Sequence, residues 1–573
     1  MGIAFASTLG VLALWPARAE ASGIAAARFG GEHGHPTTDN PTALYYNPAG
    51  IALSKGTHVF IDGTIALRFA SYDRPATESS SPVTNDIAPG ANDGKATLFN
   101  AIAAPFVGIT SDFGTNFIYG GISVSVPFGG SAVWDKNKAY QGNAMFPGAA
   151  DGQARWYSID GSIRSLYVTG GLAFNIRKIG LSLGVTGSLI RSNVETIRAR
   201  NADGSDDLVT VAGDTTTLKE GRSYINVAGL QGGFGIGAIY DVLKLGKYFI
   251  GLSYTSQPNV VGGMKLKGTL DNALSVAPPD QTPVELTQTL PDIVRIGFRA
   301  RPTDKYELRV FADWTRWSVF KKQCVLDRRV EDRNCDFANE GSALDDPESY
   351  GGDADPSVVQ HLPRFWKDAG GVRVGGSYWF VPEVEGYLGA GYDSSAVPVQ
   401  TLDPALMDMH KMSISAGVRW QIVRQFALAF TATELIFFRT STKGKSALNR
   451  FASPTKQPSG NGVYKQFFQL FNIYVDISFG YKDGKWAQRR AAKKKKATPD
   501  SEQVPTRSEP VETAPAATTP AEPTDATTPA EPAADEPAPD ATTPEGETPP
   551  AADQGASVLG LFTLRPTSAA TAR

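Results

Sequence analysis

Lys411-Met412-Ser413-Ile414-Ser415-Ala416-Gly417-Val418-Arg419-Trp420-Gln421 alternates in character from end to end. Met412, Ile414, Ala416, Val418 and Trp420 share one face, and Lys411, Ser413, Ser415, Arg419 and Gln421 share the other. That period of two belongs to a strand with a single apolar side. The same pattern runs through Tyr306, Leu308, Val310, Ala312 and Trp314, and again through Phe471, Ile473, Val475, Ile477, Phe479 and Tyr481. Working outward from these, fourteen such segments begin near residues 57, 97, 117, 163, 179, 222, 247, 284, 304, 365, 383, 409, 424 and 466. Most are 10 to 20 residues long, well beyond the ~5 or 6 of strands in globular sheets.

The links between these segments alternate in length. Those after odd-numbered strands are long and polar, roughly 73–96, 130–162, 199–221, 268–283, 320–364, 395–408 and 441–465. Those after even-numbered strands are a few residues, such as Thr303-Asp304 and Val381-Pro382. After the first residues no stretch reaches the ~18 uninterrupted apolar residues of a membrane helix. A soluble pair of β-sandwiches gives no reason for loops to alternate in length. An even-stranded barrel with long external loops and short internal turns does, because a closed sheet pairs every backbone N–H and C=O within lipid. The fold expected is all-β: a 14-stranded antiparallel transmembrane barrel.

The chain has 573 residues, with 55 Lys plus Arg against 58 Asp plus Glu, a net charge of -3 that argues against a nucleic-acid partner. Charge is unevenly placed: residues 497–573 carry 13 acids and three arginines, and six bases crowd into Arg489 to Lys496. Ile3 to Trp15 is apolar and Ala17-Arg18-Ala19-Glu20-Ala21 has small residues suited to cleavage near Ala19 or Ala21. This reads as a secretory signal over 1–21 that lacks a basic start, as from a misplaced start codon. The chain then divides into 22–55, a Gly-, Ala-, Thr- and Pro-rich segment, 56–486, the barrel, and 487–573, a basic run followed by a disordered tail with the echo Thr518-Thr519-Pro520-Ala521-Glu522-Pro523 and Thr527-Thr528-Pro529-Ala530-Glu531-Pro532.

A fourteen-stranded lumen is too wide for its own side chains to fill, so a small segment ahead of the first strand is expected to plug it. Within that segment Asn47-Pro48-Ala49 resembles the N-terminal hatch motif of the FadL/TodX family of outer-membrane transporters for long-chain fatty acids and other hydrophobic compounds. Leu388-Gly389-Ala390-Gly391-Tyr392-Asp393-Ser394-Ser395-Ala396-Val397-Pro398, followed by Asp408 and Ser413-Ile414-Ser415-Ala416-Gly417, is similar to that family's late segment, with Ala396 where the family usually has Pro. Leu290-Pro291-Asp292 and Asp313-Trp314-Thr315-Arg316-Trp317-Ser318 resemble its eighth and ninth strands. The resemblance covers residues 22 to 486 in patches. It implies uptake of a hydrophobic small molecule by passive diffusion through a hatch-gated barrel, most naturally a long-chain fatty acid. The alternatives are an aromatic-hydrocarbon channel of TodX type or a non-transporting envelope-tethering protein.

Several residues then acquire expected roles. Asn47 fixes a turn at the plug's base with Pro48 and Ala49 beside it. Asp393 is a buried lumen carboxylate in a motif with Ser395, Val397 and Pro398, paired with Lys411 or Arg419, both of which face inward by parity. Gly120 to Val126 reads as a strand that meets Pro127-Phe128-Gly129-Gly130, and Pro127 cannot donate to a ladder. Either the strand ends there or it bends inward and opens the wall sideways, which resembles the lateral exit attributed to the family. Cys324 and Cys335, 11 positions apart in the fifth long loop, are expected to form a disulfide in an oxidising envelope. Gly31-Glu32-His33-Gly34-His35 offers no third ligand at metal spacing, and no G-x-S-x-G elbow suggests catalysis. No enzyme activity, cofactor or metal is therefore expected. The chain is expected to be a monomer in contact with outer-membrane lipid, with a periplasmic tail whose basic root could meet anionic cell-wall polymer.

Overall fold

The structure, a computed structural model, describes residues 28–480 apart from 79–85, 212–215, 261–262, 275–277, 338–343 and 352–353. The signal segment, the basic run and the tail lie outside the described residues. Fourteen strands form one closed antiparallel barrel. They are β1 (Thr57–Arg74), β2 (Gly94–Ser111), β3 (Ile118–Ser131), β4 (Asp160–Ile176), β5 (Leu181–Arg200) and β6 (Gly221–Asp241). Four more run in two pieces each: β7 (Tyr248–Thr255, Met264–Ala273), β8 (Asp280–Gln288, Ile293–Thr303), β9 (Tyr306–Thr315, Lys322–Asp327) and β10 (Val358–Pro363, Ala369–Val381). The last are β11 (Val384–Asp393), β12 (Lys411–Val423), β13 (Phe426–Phe437) and β14 (Val463–Phe479). β1 closes on β14 from Thr57 opposite Phe479 to Asp73 opposite Val463, so the sheet has no terminal edge.

Alternation places polar and small residues inward and an apolar band outward. On β1 the outward residues are Val59, Ile61, Gly63, Ile65, Leu67 and Phe69, while Asp62, Thr64 and Arg68 are buried inside. Ten residues of strand span about 33 Å, and a tilt of about 40° reduces that to roughly the 25 Å apolar band of such barrels. Phe467, Phe69 and Phe99 stand side by side at the band's outer rim, with Phe69 5.0 Å from Phe99 and 6.4 Å from Phe467. This is the aromatic girdle that marks a membrane interface.

Two departures from uniform strands matter. The interruptions of β7 to β10 lie at 256–263, 289–292, 316–321 and 364–368, on four adjacent strands. Pro258 and Pro291 sit in two of them and donate nothing to a ladder. Trp317, Phe320 and Trp366 fill the break as a buried aromatic cluster with ring centroids 4.8 to 6.1 Å apart. The outer pieces of these strands continue above the band.

The second departure is β3. It pairs with β2 only from Ser111 opposite Gly120 to Phe106 opposite Ser125. Against β4 it continues to Ser131, with a register shift between Ser125 and Phe128. Every residue from Ser125 to Ser131 is buried, odd and even alike, so the strand has left the wall and turned into the lumen. Pro127 therefore does not mark the strand's outer end. β2 meanwhile runs on with Ala101 and Ala103 facing outward and no β3 partner. Pro105, at the first unpaired position of β2, has no N–H to offer. Higher up, Asn100 Nδ2 and Arg68 Nη1 donate to the Ser131 carbonyl at 2.8 and 3.1 Å, and the Asp135 N–H donates to the Thr97 carbonyl at 2.9 Å. The opening is thus bounded above and below.

Candidate functional site

The hatch occupies residues 28–54 as short turns and helices, with Ala43–Tyr46 helical and Pro48–Leu53 a 3-10 segment. Asn47 is fully buried. Its Oδ1 accepts from the Ala49 N–H at 3.1 Å, which caps the 3-10 turn begun by Pro48. Its Nδ2 donates to the Pro36 carbonyl at 2.8 Å and, at 3.2 and 3.4 Å, to the carbonyls of Ala238 on β6 and Leu252 on β7. One amide thus ties the plug to itself and to the wall.

Further ties surround the plug. The Gly30 N–H donates to Asp62 Oδ2 on β1 at 2.7 Å, Asn472 Nδ2 on β14 donates to the Arg28 carbonyl at 2.8 Å, and Arg299 on β8 pairs with Asp39 at 2.9 Å. His33 Nε2 lies 2.9 Å from Glu385 Oε1 on β11, and Tyr474 OH lies 2.8 Å from His33 Nδ1. Ser415 on β12 donates to Glu32. His33 is thereby occupied, and among the described residues no cluster has the make-up of a metal site.

The wall beneath the plug is built from glycines that face one another in pairs. Gly121 of β3 opposes Gly171 of β4, Gly184 of β5 opposes Gly237 of β6, and Gly251 of β7 opposes Gly297 of β8. A methyl group at Gly184 would stand 2.4 Å from the Ala49 nitrogen, at Gly237 2.0 Å from Asn47 Oδ1, and at Gly251 2.4 Å from the Pro36 carbonyl oxygen. The hatch lies directly on this track of paired glycines, where any side chain would displace it. Their placement at inward parity was the available signal.

The late segment forms a second knot. Asp393 is buried and paired, but its base is Arg373 on β10 rather than Lys411 or Arg419. Arg373 also pairs with Asp313 at 2.6 Å. Lys411 reaches Asp408 at 3.1 Å, and Arg419 donates to Gln421 Oε1 at 2.9 Å. β10 flanks β11 as closely as β12 does, and Gly371, opposite Asp393, leaves the room that the Arg373 pair uses. The Ser395 hydroxyl donates to the Asp408 carbonyl at 3.2 Å, the Ala396 N–H donates to Asp408 Oδ2 at 3.0 Å, and Val397 is buried. The Pro398 carbonyl accepts from the Thr401 N–H at 3.1 Å. Cys324 and Cys335 are joined by a disulfide.

Free space occurs in separate pieces. An outer cavity lies among Val194, Ile225, Leu286, Val325, Leu362 and Ala405, with Arg198 and Arg364 in its wall. Arg364 is neutralised by Asp403 at 2.7 Å, whereas the Arg198 side chain has one polar contact among the described residues, a long bond of 3.4 Å to Gln457 Oε1. Beside the hatch a second cavity of about 70 Å³ is lined by Tyr45, Tyr46, Phe128, Arg295, Phe311 and Trp317. Phe128, on the inward-turned part of β3, also lines a third space toward β4 and β5. The lumen is therefore mixed in character, with arginines set among aromatic and aliphatic walls.

A closed, lipid-banded barrel with a tethered N-terminal plug, internal cavities and a bounded break in its wall has the architecture of a membrane channel. The profile of the family described as outer membrane protein transport protein (OMPP1/FadL/TodX) matches residues 13–460, and the chain belongs to that family. A FadL homologue from Pseudomonas aeruginosa superposes with a TM-score of 0.59 at 15% identity, over 78% of this chain and 96% of that one. The Ralstonia pickettii toluene transporter TbuX gives 0.50 at 14% identity, over 80% and 99%. The P. putida toluene transporter TodX gives 0.50 at 12% identity, over 77% and 95%. At these identities the likeness is one of fold. No curated protein matches by sequence. The chain is thus an outer-membrane transporter of hydrophobic molecules.

Proposed function

We propose that this barrel carries long-chain fatty acids inward by passive diffusion and releases them sideways through the opening between β2 and β3. The observation that carries the substrate reading is Arg198, a cation beside aliphatic walls with no ion pair among the described residues, the one carboxylate in that wall, Asp403, being held by Arg364. A buried charge without a partner is costly, and an amphiphile with a carboxylate head and an apolar tail supplies the missing partner. An aromatic hydrocarbon gains nothing from that guanidinium. Beyond the entry site, about 70 Å³ of space beside the hatch is under half of the ~150 Å³ cavity that holds benzene. The plug must therefore shift locally before any substrate passes. Removing the whole plug would break the several bonds described above, at roughly 1 kcal/mol each, which favours displacement of one side only. Phe128 stands where the inner cavities meet the turned-in part of β3, and from there an apolar tail can enter the bilayer without meeting periplasmic water.

The test is uptake in a deletion strain carrying the gene or its Arg198→Gln variant. The gene should restore growth on oleate, and the variant should lower oleate uptake about tenfold, the effect of a hydrogen bond to a charged group. Equal restoration by both proteins removes the role of Arg198. Restored uptake of toluene without that of oleate makes the chain an aromatic-hydrocarbon channel, and restoration of neither excludes both substrates.

A further inference from the structure

The aromatic girdle at the outer rim of β14, β1 and β2 gives way on β4 to β7 to a basic one. Arg164 of β4 faces outward opposite Asn193 of β5, which opposes Ala228 of β6, which opposes Lys267 of β7. One rung toward the membrane, Arg191 of β5 lies between Leu166 and Leu230, and Lys265 follows on β7. Leu166 and Leu230 flank Arg191, and Val168 and Leu189 continue the exposed apolar face below it. Four cations thus stand on the lipid-facing side within two rungs, immediately above the hydrocarbon band. The side chains of Arg164, Arg191 and Lys267 have no hydrogen bond or ion pair among the described residues. Lys265 Nζ stands 3.9 Å from Glu285, an acid it shares with Arg333 at 3.6 Å, and Glu195, higher on β5, is taken by the Tyr224 hydroxyl. Against these four cations the belt sets Glu285, which lies opposite Lys267, so it presents a net positive charge at the depth of lipid headgroups.

We propose that this face of β4 to β7 seats the phosphates of an outer-leaflet glycolipid, with its acyl chains lying against Leu166, Leu189 and Leu230. The two ends of the belt are three strand spacings apart, about 14 Å at ~4.8 Å each, the breadth of one multi-chain headgroup. Guanidinium groups bind phosphate in bidentate fashion and lysines add point charge. Arg164 is opposite Gly129 in the turned-in part of β3, so the seated headgroup borders the upper corner of the wall opening. The lipid is a neighbour of the exit route as well as a solvent for the barrel.

The experiment is native mass spectrometry of the full purified chain in detergent, titrated with bisphosphorylated lipid A or with the same lipid after enzymatic removal of its phosphates. The unmodified protein should retain the phosphorylated lipid at least tenfold better, and a rise in salt from 0.1 to 0.5 M should weaken that retention. R164Q/R191Q/K265Q/K267Q should abolish the preference. R191Q alone should lower it about fivefold, the ~1 kcal/mol that one cation contributes at an anionic membrane surface. K178Q/K305Q, at the opposite rim, should leave it unchanged. Equal retention of the two lipids by the unmodified protein overturns the proposal, as does undiminished preference in R191Q and the fourfold variant. The lipid comparison on the unmodified protein is decisive even where the fourfold variant fails to fold.

Discussion

Asn47 and His361 show how single side chains hold the plug and the outer layer. Replacing Asn47 by Ala removes the cap on Ala49 and all three donated bonds, leaving the carbonyls of Ala238 and Leu252 without that partner. The expected cost is about 1 to 3 kcal/mol, borne by the hatch alone. Heat-modifiable migration on gels should therefore show as much folded barrel as before while substrate flux changes; unchanged flux would speak against the motif. His361, on the outer piece of β10 above the membrane band, packs against Phe337 with the rings tilted and their centroids 4.2 Å apart, and its ring nitrogens face Tyr350 and Thr455 at 3.3 Å. Burial, then the charges of Lys322 and Arg364, push its pKa down to about 3. Unfolded, it takes a proton near 6.5, so the folded outer layer loses roughly 1.4 kcal/mol per pH unit as pH falls from about 6.5 toward 3. Limited proteolysis of the outer loops should accelerate between pH 6.5 and 4, and His361→Gln should flatten that dependence. Asn47 was legible only through the resemblance of Asn47-Pro48-Ala49 to the family's hatch motif, since Asn before Pro by itself marks any turn. Arg373 was not, because the nearest base to Asp393 in sequence belongs to β12, whereas pairing across a sheet reaches equally to β10.

At the scale of the element, β3 carries the most information per residue. Pro127 announced a fault in the strand, but the sequence left open where the fault lay relative to the lipid. Register settles the geometry: the last β2 to β3 rung is Phe106 opposite Ser125, while β4 still shows exposed Leu166 and Val168 beside it. If the opening is the exit, joining its edges through Ala103→Cys and Val126→Cys with a short bis-thiol linker should cut flux about tenfold or more, and the same linker on either single cysteine should not. Flux indifferent to the bridge would remove the sideways route. The interruptions of β7 to β10 left weaker traces. Pro258 and Pro291 were visible, but apolar alternation resumes on both sides of each break, and period alone cannot reveal that a strand has paused for a few residues.

On the scale of the whole molecule, the strand count, the start of every strand but β10 to within four residues, and most of the division into long and short connections were readable, since lipid enforces alternation on each strand independently; β10 begins seven residues earlier than expected, at Val358, and the link after β7, expected to be long, is the six residues 274–279. The seat of the plug was not, because it depends on glycines from six strands meeting at one level, a property of register rather than of any segment. The same openness of register bears on the break in the wall. A strand edge laid bare inside a bilayer is a template on which a second chain can add its own strand, and barrels crowded in one membrane would be exposed to such accretion. Here the bare stretch of β2 begins with Pro105, its counterpart on β3 contains Pro127, and the rest of that counterpart is turned out of reach. An incoming strand finds missing donors on one side and no continuous edge on the other. The prolines that open the seam also keep it from being mended by a neighbour.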